Sequence, residues 1–236
     1  MREFEQLFNE YSSERYSMYS RTISESNWGN KTVAEAYLDR YWLSLSEYNQ
    51  KWKPIQDRIF VNQETGLPQR VFAPEFELIV LIGGILFTKE DFARLQECIL
   101  AVGDKSLVIV ENTFGRSTTF DNTSLLEGRT FRMKYPAGIS WDELTSGNFV
   151  SSVMIEMPHN EYFLFSESAS WGRYAANDYE NPLDVTGFKR EHAAVFREKL
   201  CVSEADQREI AICLPPAYSG GEMGTGCARA DSNPEP

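Results

Sequence analysis

Phe76-Glu77-Leu78-Ile79-Val80-Leu81-Ile82 is a near-continuous apolar run rich in β-branched residues. Such a run fits a strand covered on both faces. Gly83-Gly84 breaks it, and Ile85-Leu86-Phe87 leads to Thr88. Thr88 has the character of a helix N-cap, with Glu90 and Asp91 placed in the electropositive first turn. Phe92, Leu95, Ile99 and Val102 follow at spacings of three and four, one face of a helix, and Gly103 is a C-terminal stop. Ser106-Leu107-Val108-Ile109-Val110-Glu111 reads as the next buried strand. This strand–helix–strand unit is expected to form the centre of the core.

On the N-terminal side, Phe4, Leu7, Phe8 and Tyr11 predict an amphipathic helix over about residues 2 to 19. Thr32, with Glu35 three residues on, has the pattern of a capping box. It opens a second helix whose stripe is Tyr37, Leu38, Tyr41, Leu45, Tyr48 and Trp52, a wide aromatic face suited to packing on a sheet. Pro54 is expected to end that helix, and Asp57 to Val61 reads as a short strand.

On the C-terminal side, Asn112 to Gly128 is polar and long for a loop. In Arg129-Thr130-Phe131-Arg132-Met133-Lys134-Tyr135 the apolar and basic residues alternate, which predicts a half-buried strand with a basic outer face. Ser140 to Glu143 is a capping box before a short helix that stops near Gly147. Phe149 to Met157 and Glu161 to Ser166 read as a hairpin joined through Pro158-His159-Asn160, and Glu167 to Gly187 as irregular chain. Phe188, His192, Phe196 and Leu200 mark a helix, with a shorter one from Ala205 to Ile212. Pro215, Pro216, four glycines between 220 and 226 and the closing Pro234-Glu235-Pro236 cannot bury apolar surface, so 214–236 reads as a flexible tail.

Together these elements predict an α+β fold. A mixed β-sheet of about five or six strands is covered by the N-terminal and central helices. Residues 1–213 form one domain, with a possible subdivision near 115–128.

The 236 residues, 42% of them hydrophobic, are ample for a core. The formal net charge of −12 repels nucleic-acid phosphates and anionic membrane surfaces and favours a basic partner. Acidity of this order also serves solubility alone. No apolar run is long enough to span a bilayer, and the first residues lack the apolar core of a signal peptide. Cys98, Cys201, Cys213 and Cys227 show no paired spacing, and Cys98 falls on the apolar side of the central helix. A reducing, cytoplasmic location is expected.

Common catalytic constellations are missing from the sequence. It has no His-Glu-x-x-His, no phosphate loop and no Gly-x-Ser-x-Gly elbow. His159 sits in a predicted turn and His192 on an apolar stripe. Neither a cofactor nor a metal is expected. Asp178, Glu180 and Asp184 cluster beside aromatics, as a carboxylate-dependent hydrolase would require, or as a solvated acidic loop would show. The segment with most binding character is Trp171 to Asp184. Trp171, Tyr174, Asp178, Tyr179, Glu180 and Asp184 are its candidate partner-binding residues: rigid aromatic area beside acids that attract a basic partner. Trp171 is equally suited to the core.

Several phrases resemble the immunity proteins of bacterial polymorphic toxins, in particular the group designated immunity protein 52. They are Gly83-Gly84-Ile85-Leu86-Phe87, Glu111-Asn112-Thr113-Phe114, the Trp141 helix after Tyr135-Pro136, and Trp171-Gly172-Arg173-Tyr174-Ala175-Ala176-Asn177-Asp178. The resemblance covers roughly residues 30 to 200. It implies a cytoplasmic inhibitor, not an enzyme. Such a protein neutralises a cognate nuclease toxin of the restriction-endonuclease type, delivered between bacteria by a type VI secretion system, for example. A basic nuclease surface would attract this acidic chain. A regulatory or scaffold protein with another partner would share the same composition.

Overall fold

The structure is a computed structural model that describes residues 36, 37, 39–63, 71–82, 88–112, 132–146, 161–175 and 183–200. The fold is α+β. In chain order its elements are α1 (Leu45–Glu47), a π-helical turn (Tyr48–Trp52), α2 (Lys53–Ile59), β1 (Phe76–Ile82), α3 (Lys89–Val102), β2 (Ser106–Asn112) and β3 (Arg132–Pro136). Then follow α4 (Trp141–Leu144), β4 (Glu161–Phe165), β5 (Trp171–Ala175), β6 (Leu183–Lys189), a 3-10 turn (Arg190–His192) and α5 (Ala193–Lys199).

Six strands form one sheet in the order β1-β6-β5-β4-β2-β3. Every neighbouring pair is antiparallel, so the sheet is not the mixed one expected. The expected strand–helix–strand unit exists, and β1 and β2 run the same way. Three strands stand between them, so their shared direction never becomes a parallel pairing. The local caps are those the sequence implies. Thr88 Oγ1 accepts from Asp91 N at 3.1 Å, and Gly103 closes α3 in the left-handed region at φ 88°. Ser140 Oγ accepts from Glu143 N in the same way at α4.

Both faces of the sheet are covered. On the first face, Leu107, Ile109, Tyr162, Leu164, Trp171 and Phe188 pack against Phe92, Leu95 and Ile99 of α3 and Phe196 of α5. On the second, Val108, Val110, Phe163, Phe165 and Val185 meet Trp52, Ile55, Ile59, Phe60 and Phe72. This double cover explains several departures from the sequence reading. The basic face expected of β3 is largely covered: Arg132 is 2% exposed, lying 5.4 Å from the Trp42 ring centre and 5.8 Å from that of Tyr48, while the part-exposed Lys134 pairs with Glu47. Cation–π attraction accommodates the Arg132 charge.

The expected helix carrying Tyr37 to Trp52 is broken. Trp42 bridges Met133, and Leu43 N donates to Arg132 O at 3.0 Å. The chain therefore wraps round the β3 edge. Tyr37 and Tyr41 lie on the first face, Leu43, Tyr48 and Trp52 on the second. An edge strand closed in this way offers fewer free backbone groups for unwanted pairing. Pro54 does not end the helix either. It lacks the N–H that would bond the Gln50 carbonyl, and its ring would crowd that oxygen. The preceding turn widens to a π-turn and α2 continues to Ile59, so Asp57 to Ile59 is helix rather than strand.

Glu167 to Gly187 is not irregular, because it holds β5 and most of β6. Phe188 belongs to β6, and the last helix starts at Ala193. β4 has β2 on one side and β5 on the other, so it cannot be half of the expected hairpin with 149–157. That segment lies outside the described residues, as do the helices expected at 2–19 and 205–212, the loop and possible subdivision near 115–128, and the tail from 214.

Candidate functional site

β5 and β6 place a charged cluster inside the first face. Along Trp171-Gly172-Arg173-Tyr174-Ala175 side chains alternate, so Trp171, Arg173 and Ala175 share that face. Thr186 stands opposite Arg173, and Asp184 opposite Ala175. The Arg173 side chain is completely buried. Its guanidinium is held bidentately by Asp91 of the first turn of α3, with Nη2 donating to Oδ1 at 3.2 Å, while Nε donates to Thr186 Oγ1 at 3.0 Å. Burial alone would lower the arginine's pKa, but the Asp91 carboxylate outweighs it and the cation is held. Burial pushes Asp184 the other way. Its carboxyl titrates well above the usual range in spite of the neighbouring Arg173, and its Oδ1 has no hydrogen-bond partner among the described residues. Cys98 lies beside the cluster, its thiol pushed up to about 12 by burial.

A second polar set clamps the opposite end of the sheet. Asp104 Oδ2 accepts from Trp171 Nε1 at 2.9 Å and from Ser168 Oγ at 3.0 Å, and Oδ1 accepts from Ser168 N at 3.1 Å. Glu167 reciprocates, accepting from Lys105 N at 2.6 Å, Ser106 N at 3.2 Å and Ser106 Oγ at 2.7 Å. The β4–β5 turn and the α3–β2 turn are thus tied through one carboxylate from each. Burial would raise the Glu167 pKa, but the Ser106 hydroxyl and the backbone N–H donors prevail and hold it below the usual range. Glu167 therefore contributes stability that is complete above its unfolded value near pH ~4.3 and is lost as pH falls through the lower folded value. Glu167→Gln should lower stability at neutral pH by about 1 kcal/mol, because charge-assisted acceptance is lost at a half-exposed site. It should also flatten the acid side of the stability profile. Urea midpoints measured at intervals from pH 7 to 3 check this, and a variant parallel to the parent throughout would refute it.

The structure separates the candidate partner-binding residues. Trp171 and Tyr174 are fully buried and Asp184 is 4% exposed, so these three are interior residues rather than contact residues. Tyr174 packs on Phe163 at 5.1 Å between ring centres. Asp178, Tyr179 and Glu180 lie outside the described residues, as does His159. His192 is part-exposed in the 3-10 turn, off the apolar stripe. The residues missed as a site are Arg173, Asp91, Thr186 and Asp104. Their signal was the alternation within 171–175, hidden because one interior position holds an arginine. Among the described residues no three His, Cys, Asp or Glu side chains come together as a metal would need. None of the described helices is long and apolar enough to cross a membrane.

The chain matches no family model, no curated protein and no solved structure.

Proposed function

We propose that the chain is a cytoplasmic immunity protein that neutralises a cognate nuclease toxin by protein–protein contact. The resemblance of several phrases to the immunity protein 52 group carries this reading, and the net charge of −12 supports it. Part of each of two phrases is interior: Glu111 is buried at the end of β2, and Trp171 to Ala175 form β5. Those positions would preserve the fold, leaving contact to other surface. The described residues hold 17 of the 35 acidic and 14 of the 23 basic side chains. Most of the negative excess therefore belongs to the remaining sequence, which includes Asp178 and Glu180. Long-range steering toward a basic nuclease would originate mainly there. The hydrolase alternative is weakened at one residue, since Asp184 faces Arg173 and α3 rather than an open site.

The test is a nuclease assay on the product of the adjacent gene, with and without equimolar chain, followed by size-exclusion chromatography of the mixture. Stoichiometric inhibition with co-elution is the expected result. Absence of both would reject that pairing. Reversing both charges, Asp178→Lys with Glu180→Lys, should weaken binding at least tenfold and reduce its salt dependence. An unchanged affinity would remove these two residues from the interface.

A further inference from the structure

We propose that Arg173 is a cation shared by two alternative counterions, Asp91 and Asp184, and that its exchange between them decides whether the first turn of α3 is tied to the sheet. This goes beyond the immunity reading and holds whatever the chain binds.

The geometry supplies both positions. Arg173 offers five N–H donors. Two go to Asp91 and one to Thr186. Among the described residues, two donors of this fully buried guanidinium are unused and Asp184 Oδ1, also buried, accepts nothing. The register makes Arg173 and Asp184 diagonal neighbours on one face of adjacent strands, a separation that long side chains span. The two carboxylates differ in exposure. The Asp91 side chain is 21% exposed at the start of α3, whereas Asp184 is enclosed between β1 and β5.

Among the described residues, other charges near the cluster are committed elsewhere. On α3, Glu90 pairs with Arg94 at the surface, and Cys98 faces the cluster as a neutral thiol. On β1, Glu77 pairs with Arg197 of α5. Among the described residues Arg173 is thus the cation that faces Asp184, and Asp91 the anion that competes with it.

Two arrangements keep this interior neutral. In the first, Asp91 holds Arg173 as the contacts show, and Asp184, enclosed without a counterion, is proposed to retain its proton. In the other, Asp184 releases that proton to solvent and takes the guanidinium, while Asp91 turns outward and frees the first turn of α3. A buried arginine with neither anion would be strongly destabilising.

The experiment is urea unfolding of the full chain from pH 5 to 8 for the parent, Asp91→Asn, Asp184→Asn and the double variant. Both single variants should fold, because each retains one counterion. The double variant's unfolding constant should exceed the product of the two single effects at least a hundredfold. If the double variant is unfolded from the start, adding Arg173→Met should restore folding. The pH readout is separate. In the arrangement proposed, Asp184 of the folded parent keeps a proton that the unfolded chain releases above about pH 4, so the parent's unfolding constant should climb with pH relative to that of Asp184→Asn. In Asp91→Asn that climb should vanish, since Asp184 is then ionised in the folded chain. Additive single effects, an Asp91→Asn variant that keeps the parental slope, or one that cannot fold would each overturn the exchange.

Discussion

Replacing Gly187 by valine is expected to cost about 3 kcal/mol or more, a large part of a typical domain's total stability. Gly187 of β6 and Gly172 of β5 are register partners, and together they form a notch on the second face. A Cβ on Gly187 would stand 2.4 Å from Phe72 Cδ1 and 2.6 Å from Cε1, and one on Gly172 would stand 2.6 Å from Phe60 Cζ. Neither ring can retreat. Phe60 and Phe72 are buried, 5.0 Å apart between ring centres, and Phe163 and Phe76 hem them in at 4.8 and 6.1 Å. Their backbones are also fixed by the Phe60–Phe72 bridge, so the rings and the notch position one another. The penalty is steric, because Gly187 has no positive φ. Gly187→Ala should cost about 2 kcal/mol by the same overpacking. Phe72→Leu in that background should cost less than it does alone. Denaturation midpoints of the single and double variants measure both effects. A Gly187→Ala protein within about 0.5 kcal/mol of the parent would show that the ring can yield.

What was legible in the sequence was local. The caps of α3 act over three or four residues: Thr88 with Asp91 N, and Gly103 with its left-handed turn. Each is written in adjacent side chains. The strand partners were not legible, because β1 meets a strand more than a hundred residues away. β5 was misread for a physical reason. A strand covered on both faces has no polar side to alternate with its apolar one, and this one spends positions on Gly172 and Arg173. Gly172 leaves room for Phe60, while Arg173 fills a core position only because Asp91 neutralises it from α3. Neither partner can be seen from within the strand. The aromatic stripe from Tyr37 to Trp52 misled similarly. Its helical period runs on, but Trp42 and Leu43 leave the helix to close the β3 edge, and the two halves serve different faces. Asp91 was legible as a helix-start acid, and its second role depends on Arg173, 82 residues on.

The corrected place of Trp171 changes what its mutation should report. As a contact residue, Trp171→Ala would abolish partner binding and leave the fold intact. As a core residue it should cost about 4 kcal/mol, the range for emptying a large aromatic site. Its ring is completely buried, 6.3 Å from Phe196, which in turn stacks on Phe188 at 4.9 Å. The loss would also remove the indole donor from Asp104, a buried carboxyl whose pKa desolvation already raises. Trp171→Phe isolates that second effect. It keeps most of the packing and should cost about 1–3 kcal/mol, the scale for an interior polar atom left short of a partner. Asp104→Ala combined with Trp171→Phe should then cost less than the sum, since both remove the same bond. Thermal or urea midpoints rank the variants. Binding is best measured on Trp171→Phe, the variant most expected to remain folded. Undiminished affinity at reduced stability is the result a core tryptophan requires, whereas parental stability with lost affinity would return Trp171 to the interface.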